Sequence, residues 1–278
     1  VTVGVFGSVN LDLIFRLPRA PEAGETLLAE ASLMAPGGKG ANQALAAARA
    51  GAAVRMAGAV GQDQLADQAL ALLRAGGVDL SALARVDAPT GLAAITVDAA
   101  GENRIVCASG ANARARADQV PEAWLDGLRV LLMQLETPWA ETLLLLHRAK
   151  ARGVRVLVNL APAPAAPPPG LDQADLVIAN EIEAAFAPPG VALVRTLGAA
   201  GVAFGDLRIA ALPITPVDTT GAGDAFCGAL AAALAEHRPM EQALRFAAIA
   251  GSLACLAPGA QPALPTRAAI EGALAQHA

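Results

Sequence analysis

The sequence predicts an α/β protein: a doubly wound, mostly parallel sheet with helices on both faces, plus a small β-sheet lid. Two observations carry this. Short apolar runs alternate along the chain with segments of helical periodicity that end on helix stop signals, the pattern of a buried parallel sheet. Residues 10–36 and 90–109 break that rhythm, with polar–apolar strands and no helix between them. The composition of the 278 residues agrees, at 55% hydrophobic and 16% charged, enough to bury a large core.

In chain order, VTVGVFGSV (1–9) is the first strand of the main sheet. DLIFRL and TLLAEASLM follow within 10–36 as strands of the small sheet. ANQALAAARAG (41–51) is a helix ending on a glycine, VRMAGAV (54–60) a strand, and DQLADQALALLRAGG (63–77) a helix ending on two glycines. GLAAITVD and NRIVCAS return to the small sheet within 90–109. RVLLMQL (129–135), VRVLVNL (154–160), DLVIAN (175–180) and VALVRTL (191–197) are further buried strands. TPWAETLLLLHRAKARG (137–153) is a helix with Thr137 at the cap, Pro138 at the first helical position and Gly153 past the end. APAPAAPPPG (161–170) is a stiff proline-rich loop. Residues 1–9, 37–89 and 110–278 are thus assigned to the α/β domain. Residues 10–36 and 90–109 form a small antiparallel sheet that suits a lid over a ligand, or else extra edge strands of the main sheet.

Several function classes are excluded. The net charge is −5 and no Lys/Arg cluster tracks a phosphate backbone, so nucleic acid is not the expected partner. Cys107, Cys227 and Cys255 have neither disulfide-framework nor zinc spacing and read as reduced thiols of a cytoplasmic protein. His147, His237 and His277 are too scattered for a histidine triad or metal site. No secretory signal is expected, since the chain opens directly into a strand. The uncharged run from Phe246 to Thr266 is interrupted by Pro258, Pro262 and Pro265, against a membrane helix.

Two glycine-rich stretches fail the common phosphate motifs. PGGKGANQ (36–43) has Leu33 where a Walker A loop needs its first glycine and Gly40 where it needs Ser or Thr. GAGDAFCG (221–228) has Phe226 in place of the third glycine of a dinucleotide fingerprint. Yet 217-VDTTGAGDAFCGAL-230 offers bare amides at Gly221, Ala222 and Gly223 where a helix begins, a ready anion site. Asp224 falls in the first helical turn, and Asp218 lies in the loop before it. An anion cradle beside a carboxylate fits phosphoryl transfer, the amides holding the phosphate and the carboxylate taking an alcohol proton. An N-cap aspartate before a packing helix fits these residues equally. In SVNLDL (8–13), Asn10 and Asp12 leave one face of an extended chain and suit a polyol, or an Asx turn. Gly38, Lys39 and Asn42 open the next helix, where amides and a cation could meet hydroxyls or phosphate, or simply cap it.

Together these stretches resemble the ribokinase-like (PfkB-type) carbohydrate kinases. The resemblance runs in family order through SVNLDL, GGKGANQA (37–44), GENRIVCASGANA (101–113), LLMQLETP (131–138), NLAPAP (159–164), NEIE (180–183), TLGAAG (196–201), DTTGAGDAF (218–226) and PGAQPALP (258–265). GGKGANQA and DTTGAGDAF are its most specific parts.

The resemblance implies ATP-dependent phosphorylation of a sugar, expected to be D-ribose at O5, with another pentose, a ketose or a nucleoside as alternatives. A sugar or nucleotide binder without turnover is the reading from another class. Asp224 is implied as the base and residues 221–223 as the anion hole. Asn10, Asp12, Gly38, Lys39, Asn42 and Glu136 are implied to hold the sugar with Asp224. Asn180 and the loop Thr196, Leu197, Gly198, Ala199, Ala200 and Gly201 would face the nucleotide with Gly223. Glu183 would organise Mg²⁺ through water. Asp218, with carbonyls at Thr220, Ala254, Ala257 and Gly259, would hold K⁺. A homodimer through the lid is also implied. This chain departs from the family at Ala263, in place of a serine of the cation site, and at Ala248 on the nucleotide side. It also departs at Cys107, where a bulkier apolar side chain often lines the sugar pocket, and in a short 180–196 segment.

Overall fold

The computed structural model describes residues 1–99 and 102–277; Ala100 and Gly101, inside the predicted 90–109 segment and the 101–113 motif, and Ala278 lie outside the described residues. In chain order the elements are β1 (Thr2–Phe6), β2 (Asn10–Arg16), β3 (Ala31–Gly37), α1 (Lys39–Arg49), β4 (Ala53–Gly61), α2 (Gln64–Ala69), α3 (Ala71–Ala75), β5 (Asp79–Val86), β6 (Gly91–Val97) and β7 (Asn103–Ala108). There follow α4 (Glu122–Leu125), β8 (Leu128–Met133), α5 (Trp139–Lys150), β9 (Arg155–Asn159), β10 (Leu176–Ala179), β11 (Leu193–Thr196), β12 (Val202–Phe204) and β13 (Leu207–Ile209). Helices α6 (Ala222–Ala235), α7 (Met240–Ala254), α8 (Ala260–Ala263) and α9 (Arg267–Gln276) close the chain.

The main sheet has 9 strands in the order β13-β12-β11-β10-β9-β8-β1-β4-β5, parallel from β11 to β5, with the antiparallel β12 and β13 at one edge. Each of the six apolar runs expected to be buried strands is one of its parallel members. Their side chains alternate between faces. Val130 and Leu132 join a core beneath α1, α6 and α7, while Leu131 and Met133 join a second core beneath α4 and α5. The chain builds outward from β1 to β4 and β5 in one direction, then restarts at β8 and builds the other way. That reversal opens a crevice beyond the C-terminal ends of β1 and β8, where ligands of such sheets bind.

Some expectations change. Strand β5 and the β12–β13 hairpin were not anticipated: β5 is a half-exposed edge strand without a continuous apolar run, and the hairpin strands have three residues each. The 63–77 helix is two short helices meeting at Leu70. Thr137 does not cap α5. Pro138 precedes the helix in extended conformation, and Thr137 Oγ1 lies 3.1 Å from Thr142 Oγ1 instead.

The small sheet is separate, in the order β3-β2-β6-β7, but it is mixed rather than antiparallel, because β2 pairs parallel with β6. The reason is topological. Strands β1 and β5 run in the same direction, so the segments that leave their ends as β2 and β6 also run side by side in one direction. Among the described residues no helix is long and apolar enough to cross a membrane.

Helix α6 is the buried centre of the molecule, covered from Asp224 to Ala235. Gly228 makes this possible, since a Cβ there would stand 2.5 Å from both Ala46 Cβ and Gln43 O of α1. The close crossing places the first turn of α6 directly against the first turn of α1.

Candidate active site

The two aspartates around the glycine turn have different partners. Gly221 starts α6 at φ 79°, a left-handed conformation that glycine adopts without strain, and its carbonyl accepts from Ala225 N at 2.8 Å. Ahead of it, Asp218 Oδ1 accepts from Thr220 N at 2.9 Å and Oδ2 from Gly259 N at 2.8 Å. Burial opposes the Asp218 charge, but these hydrogen bonds outweigh it and hold the carboxyl below its ordinary value. The carbonyls of Thr220, Ala254, Ala257 and Gly259 accept no hydrogen bond among the described residues. Ala254 has no N–H to receive one turn on, because that residue is Pro258. Oxygen donors without partners beside one carboxylate form a chemically suitable set for a hard cation.

Asp224 is buried at 7% exposure yet lines a cleft of about 150 Å³ with Lys39, Asn159, Asn180, Glu183, Thr196, Gly221, Gly223 and Cys227. Its Oδ2 accepts from Asn42 Nδ2 and its Oδ1 from Gln43 Nε2, both at 2.9 Å. Of the amides expected to form the anion cradle, Ala222 N donates to Thr219 O at 3.2 Å and closes the turn. The amides of Gly221, Gly223 and Asp224 have no such partner among the described residues, and Gly223 is exposed. Asn42 Oδ1 is buried without a partner, an acceptor ready for a hydroxyl donor.

On the side of the small sheet, Asp12 faces Asp224 and Glu136. Burial first, then the charges of Glu136 and Asp224, push its carboxyl from 3.8 to about 7. Glu136 follows β8 and accepts from Lys39 N at 3.1 Å and from the Ser8 hydroxyl. Burial opposes the Lys39 charge, but Asp224, Glu136 and Glu183 more than compensate and raise its pKa. Gly38, at φ 89°, carries the chain into α1 ahead of Lys39. Asn10 Oδ1 accepts from Asn112 Nδ2 at 2.7 Å. Asn10 and Asp12 lie on β2 of the small sheet, not at the end of a main strand. Across the register Ala35, Asp12, Ala93 and Cys107 form one row, so the exposed Cys107 thiol shares the Asp12 face.

On the opposite side, Asn180 and Glu183 cap each other: Asn180 N donates to Glu183 Oε2 at 2.9 Å and Glu183 N to Asn180 Oδ1 at 2.8 Å. Glu183 Oε1 accepts no hydrogen bond among the described residues, and burial pushes this carboxyl up. No cluster of three metal-ligating side chains occurs among the described residues, so a divalent ion here would rely on phosphate and water oxygens. Of the 196–201 loop only Thr196 lines the cleft; Gly198 to Ala200 form an exposed turn. A wider surface depression of about 680 Å³ beside α5 holds none of the predicted residues, and its Arg148 is already bound to Glu122, Ala117 O and Val120 O.

The site also contains residues that the motif reading passed over. Ser8, Gln43, Asn112, Gln134 and Asn159 are buried polar side chains, all engaged in hydrogen bonds around Asp224, Glu136 or Asn10. Polar residues inside apolar runs, as in LLMQL and VLVN, were the available signal.

The family model of the pfkB carbohydrate kinases matches residues 2–267. The chain belongs to this family. It is thus a ribokinase-type phosphotransferase acting on a sugar. This pfkB-family kinase is 36% identical to ribokinase of Bacillus subtilis over 96% of its own length and 97% of the relative's. Its fold matches the crystal structure of ribokinase from Thermotoga maritima at a TM-score of 0.90, 30% identity and 99% coverage of both chains. It matches Arabidopsis thaliana ribokinase, solved with ribose and ATP, at 0.88, 30% identity and 98% of both chains.

Proposed function

We propose that this kinase transfers the γ-phosphoryl group of ATP to O5 of D-ribose. One arrangement carries the reading: the Asp224 carboxylate and the unpartnered amides of Gly221 and Gly223 share a cleft at the point where the sheet reverses direction. The ribose-and-ATP complex of the Arabidopsis thaliana relative supports the choice of substrates.

In this reading Asp224 takes the O5 proton as the hydroxyl attacks. The amides at the start of α6 hold the travelling phosphoryl group, with the dipole of a helix buried from Asp224 onward behind them. Lys39, kept charged by its carboxylate neighbours, adds positive charge on the cleft wall. Asn10, Asp12, Asn42 and Glu136 hold the sugar hydroxyls, with Gly38 giving backbone room. Asn180, Thr196 and the 197–201 loop flank the nucleotide. Glu183 would hold Mg²⁺ through water, and the ion when bound would neutralise charge on the phosphates. Asp218 and the carbonyls of Thr220, Ala254, Ala257 and Gly259 would hold K⁺, which would supply fixed charge beside the amide turn. The small sheet, residues 10–36 and 90–109, closes over the sugar as a lid and excludes water.

We also propose a homodimer through this sheet. Leu33 on β3 is 61% exposed and Ile105 on the edge strand β7 is 52% exposed. They end a row Leu33–Ile14–Ile95–Ile105 that crosses all strands of the small sheet, buried at Ile95 and open at both ends, where a second copy could cover it.

The test is ADP release with a panel of pentoses, ketoses and nucleosides, with and without K⁺. D-ribose should give the highest kcat/KM, and K⁺ should raise kcat. A ketose or nucleoside ahead of ribose would replace the substrate assignment. A rate indifferent to K⁺ would remove the cation from the account.

A further inference from the structure

Gln43 is fully buried beside Asn42 on α1, and its amide is completely used. Nε2 donates to Asp224 Oδ1 at 2.9 Å and to Asn159 Oδ1 at 3.0 Å, while Oε1 accepts from Gln134 Nε2 at 2.7 Å. An ionised carboxylate only accepts, and an amide nitrogen has two hydrogens to give. The charge on Asp224 therefore sets the direction of the whole chain. Gln43 must turn its NH₂ to Asp224, its carbonyl must then face Gln134, and Gln134 must present its own NH₂. Asn159 spends its oxygen on Gln43 and donates Nδ2 to Ile178 O at 3.1 Å.

The chain has features that exceed packing. Gln134 and Gln43 are both at 0% exposure, where apolar side chains would carry no desolvation penalty. Gln134 Oε1 is left without a partner, so the group is held there at a cost. Asn159 and Ile178 line the same cleft as Asp224, so the relay ties the carboxylate to the strands that carry the nucleotide-side residues.

We infer that Gln43 is a positioning residue for the phosphoryl transfer, aiming the Asp224 carboxylate at the acceptor hydroxyl and holding it ready to take the proton, with Gln134 fixing the orientation of Gln43. The inference rests on the function proposed above. Other charged and titratable groups around Asp224 are Lys39 on α1, Asp12 on β2, Glu183 after β10 and Cys227 on α6, with Glu136 acting on Asp12 and Lys39. Among the described residues, only Asn42 and Gln43 donate side-chain hydrogen bonds to Asp224.

The test is kcat and sugar KM against pH, from about pH 5 to 9, for the wild type, Gln43→Met, Gln43→Glu, Gln134→Met and Asp224→Asn. Gln43→Met should lower kcat about 10- to 100-fold, the effect of one hydrogen bond to a charged group, with sugar KM within about threefold. Gln43→Glu should move the acid limb of kcat up by about one pH unit or more, because a second carboxylate faces the first. Gln134→Met should lower kcat in the same direction by a smaller factor, about 3- to 10-fold. If Gln43→Met does not fold, the near-isosteric Gln43→Glu and the Gln134→Met variant decide. Folded variants with wild-type kcat and an unmoved acid limb, beside an inactive Asp224→Asn, would overturn this inference alone. A wild type without sugar-dependent ADP release, or a fully active Asp224→Asn, would overturn the proposed function and this inference with it.

Discussion

Asp218 and Asp224 stand six positions apart on either side of one glycine turn, and they are held in opposite ways. Both oxygens of Asp218 are occupied by main-chain amides, Thr220 N on its own loop and Gly259 N from the segment before α8. Both oxygens of Asp224 are held by side-chain amides of α1, and the carboxylate keeps a face to the cleft. Main-chain partners fix the path of a chain, whereas side-chain partners fix the aim of a group. The first carboxylate builds the turn; the second is presented by it. A helix N-terminus needs both if its free amides and a base are to meet on one side of a bound phosphate.

The comparison breaks most easily at Asp224. Asp224→Asn keeps the shape and removes the proton acceptor. Loss of a general base corresponds to about 10²- to 10⁴-fold, so kcat should fall by that factor, with a stability cost of about 1–3 kcal/mol because the new NH₂ meets one of the two amides facing it. Single-turnover phosphoryl transfer measured beside a melting curve checks both halves. Retention of near-normal turnover would show that the buried carboxylate is only a cap.

Asp218→Asn should cost stability while leaving the base in place. One of the two amides facing it would meet an NH₂ in place of an oxygen, at a cost of about 1–3 kcal/mol in stability. The pH dependence has a definite sign. The folded pKa of Asp218 is lowered from 3.8, so its contribution is fully present above that value and is lost as the pH falls through the lowered one. Denaturant midpoints at neutral and strongly acid pH check this: the gap between wild type and variant should close only in acid. A variant as stable as the wild type at neutral pH would contradict the structural role.

The main sheet was legible because its strands are uninterrupted apolar runs, and a period-two pattern buried on both faces leaves little else for them to be. The small sheet was legible as strands but not in its pairing. That β2 lies parallel to β6 depends on where β1 and β5 end, which no local pattern records. Strand β5 was missed because it is a half-exposed edge strand in which Leu80, Ala82, Ala84 and Val86 alternate with Asp79, Ser81 and Arg85, so it lacks the continuous apolar run of the buried strands. In the site, the residues on glycine turns stood out, since turns expose chemistry. Gln43, Gln134 and Asn159 did not, because a polar side chain in an apolar run becomes informative only when its partners, 91 to 181 positions away, are known.

Asp12 offers the smallest and most discriminating effect. Among the described residues it has neither the main-chain donors of Asp218 nor the side-chain donors of Asp224, and burial together with Glu136 and Asp224 raises its carboxyl to about 7. A carboxyl with a raised folded pKa binds its proton more tightly in the native state. It therefore lowers stability increasingly as the pH climbs from 3.8 to about 7, and by its full amount above that. Asp12→Asn removes this penalty, so the variant should melt above the wild type at pH of about 8, with a margin that narrows toward pH of about 4. The same substitution should raise the sugar KM at alkaline pH, where the wild type presents a carboxylate to the hydroxyls. Melting curves and sugar KM on one set of buffers separate the two consequences. A variant that melts below the wild type at alkaline pH would show that Asp12 has a stabilising partner, and would place it with Asp218 as a builder of the site.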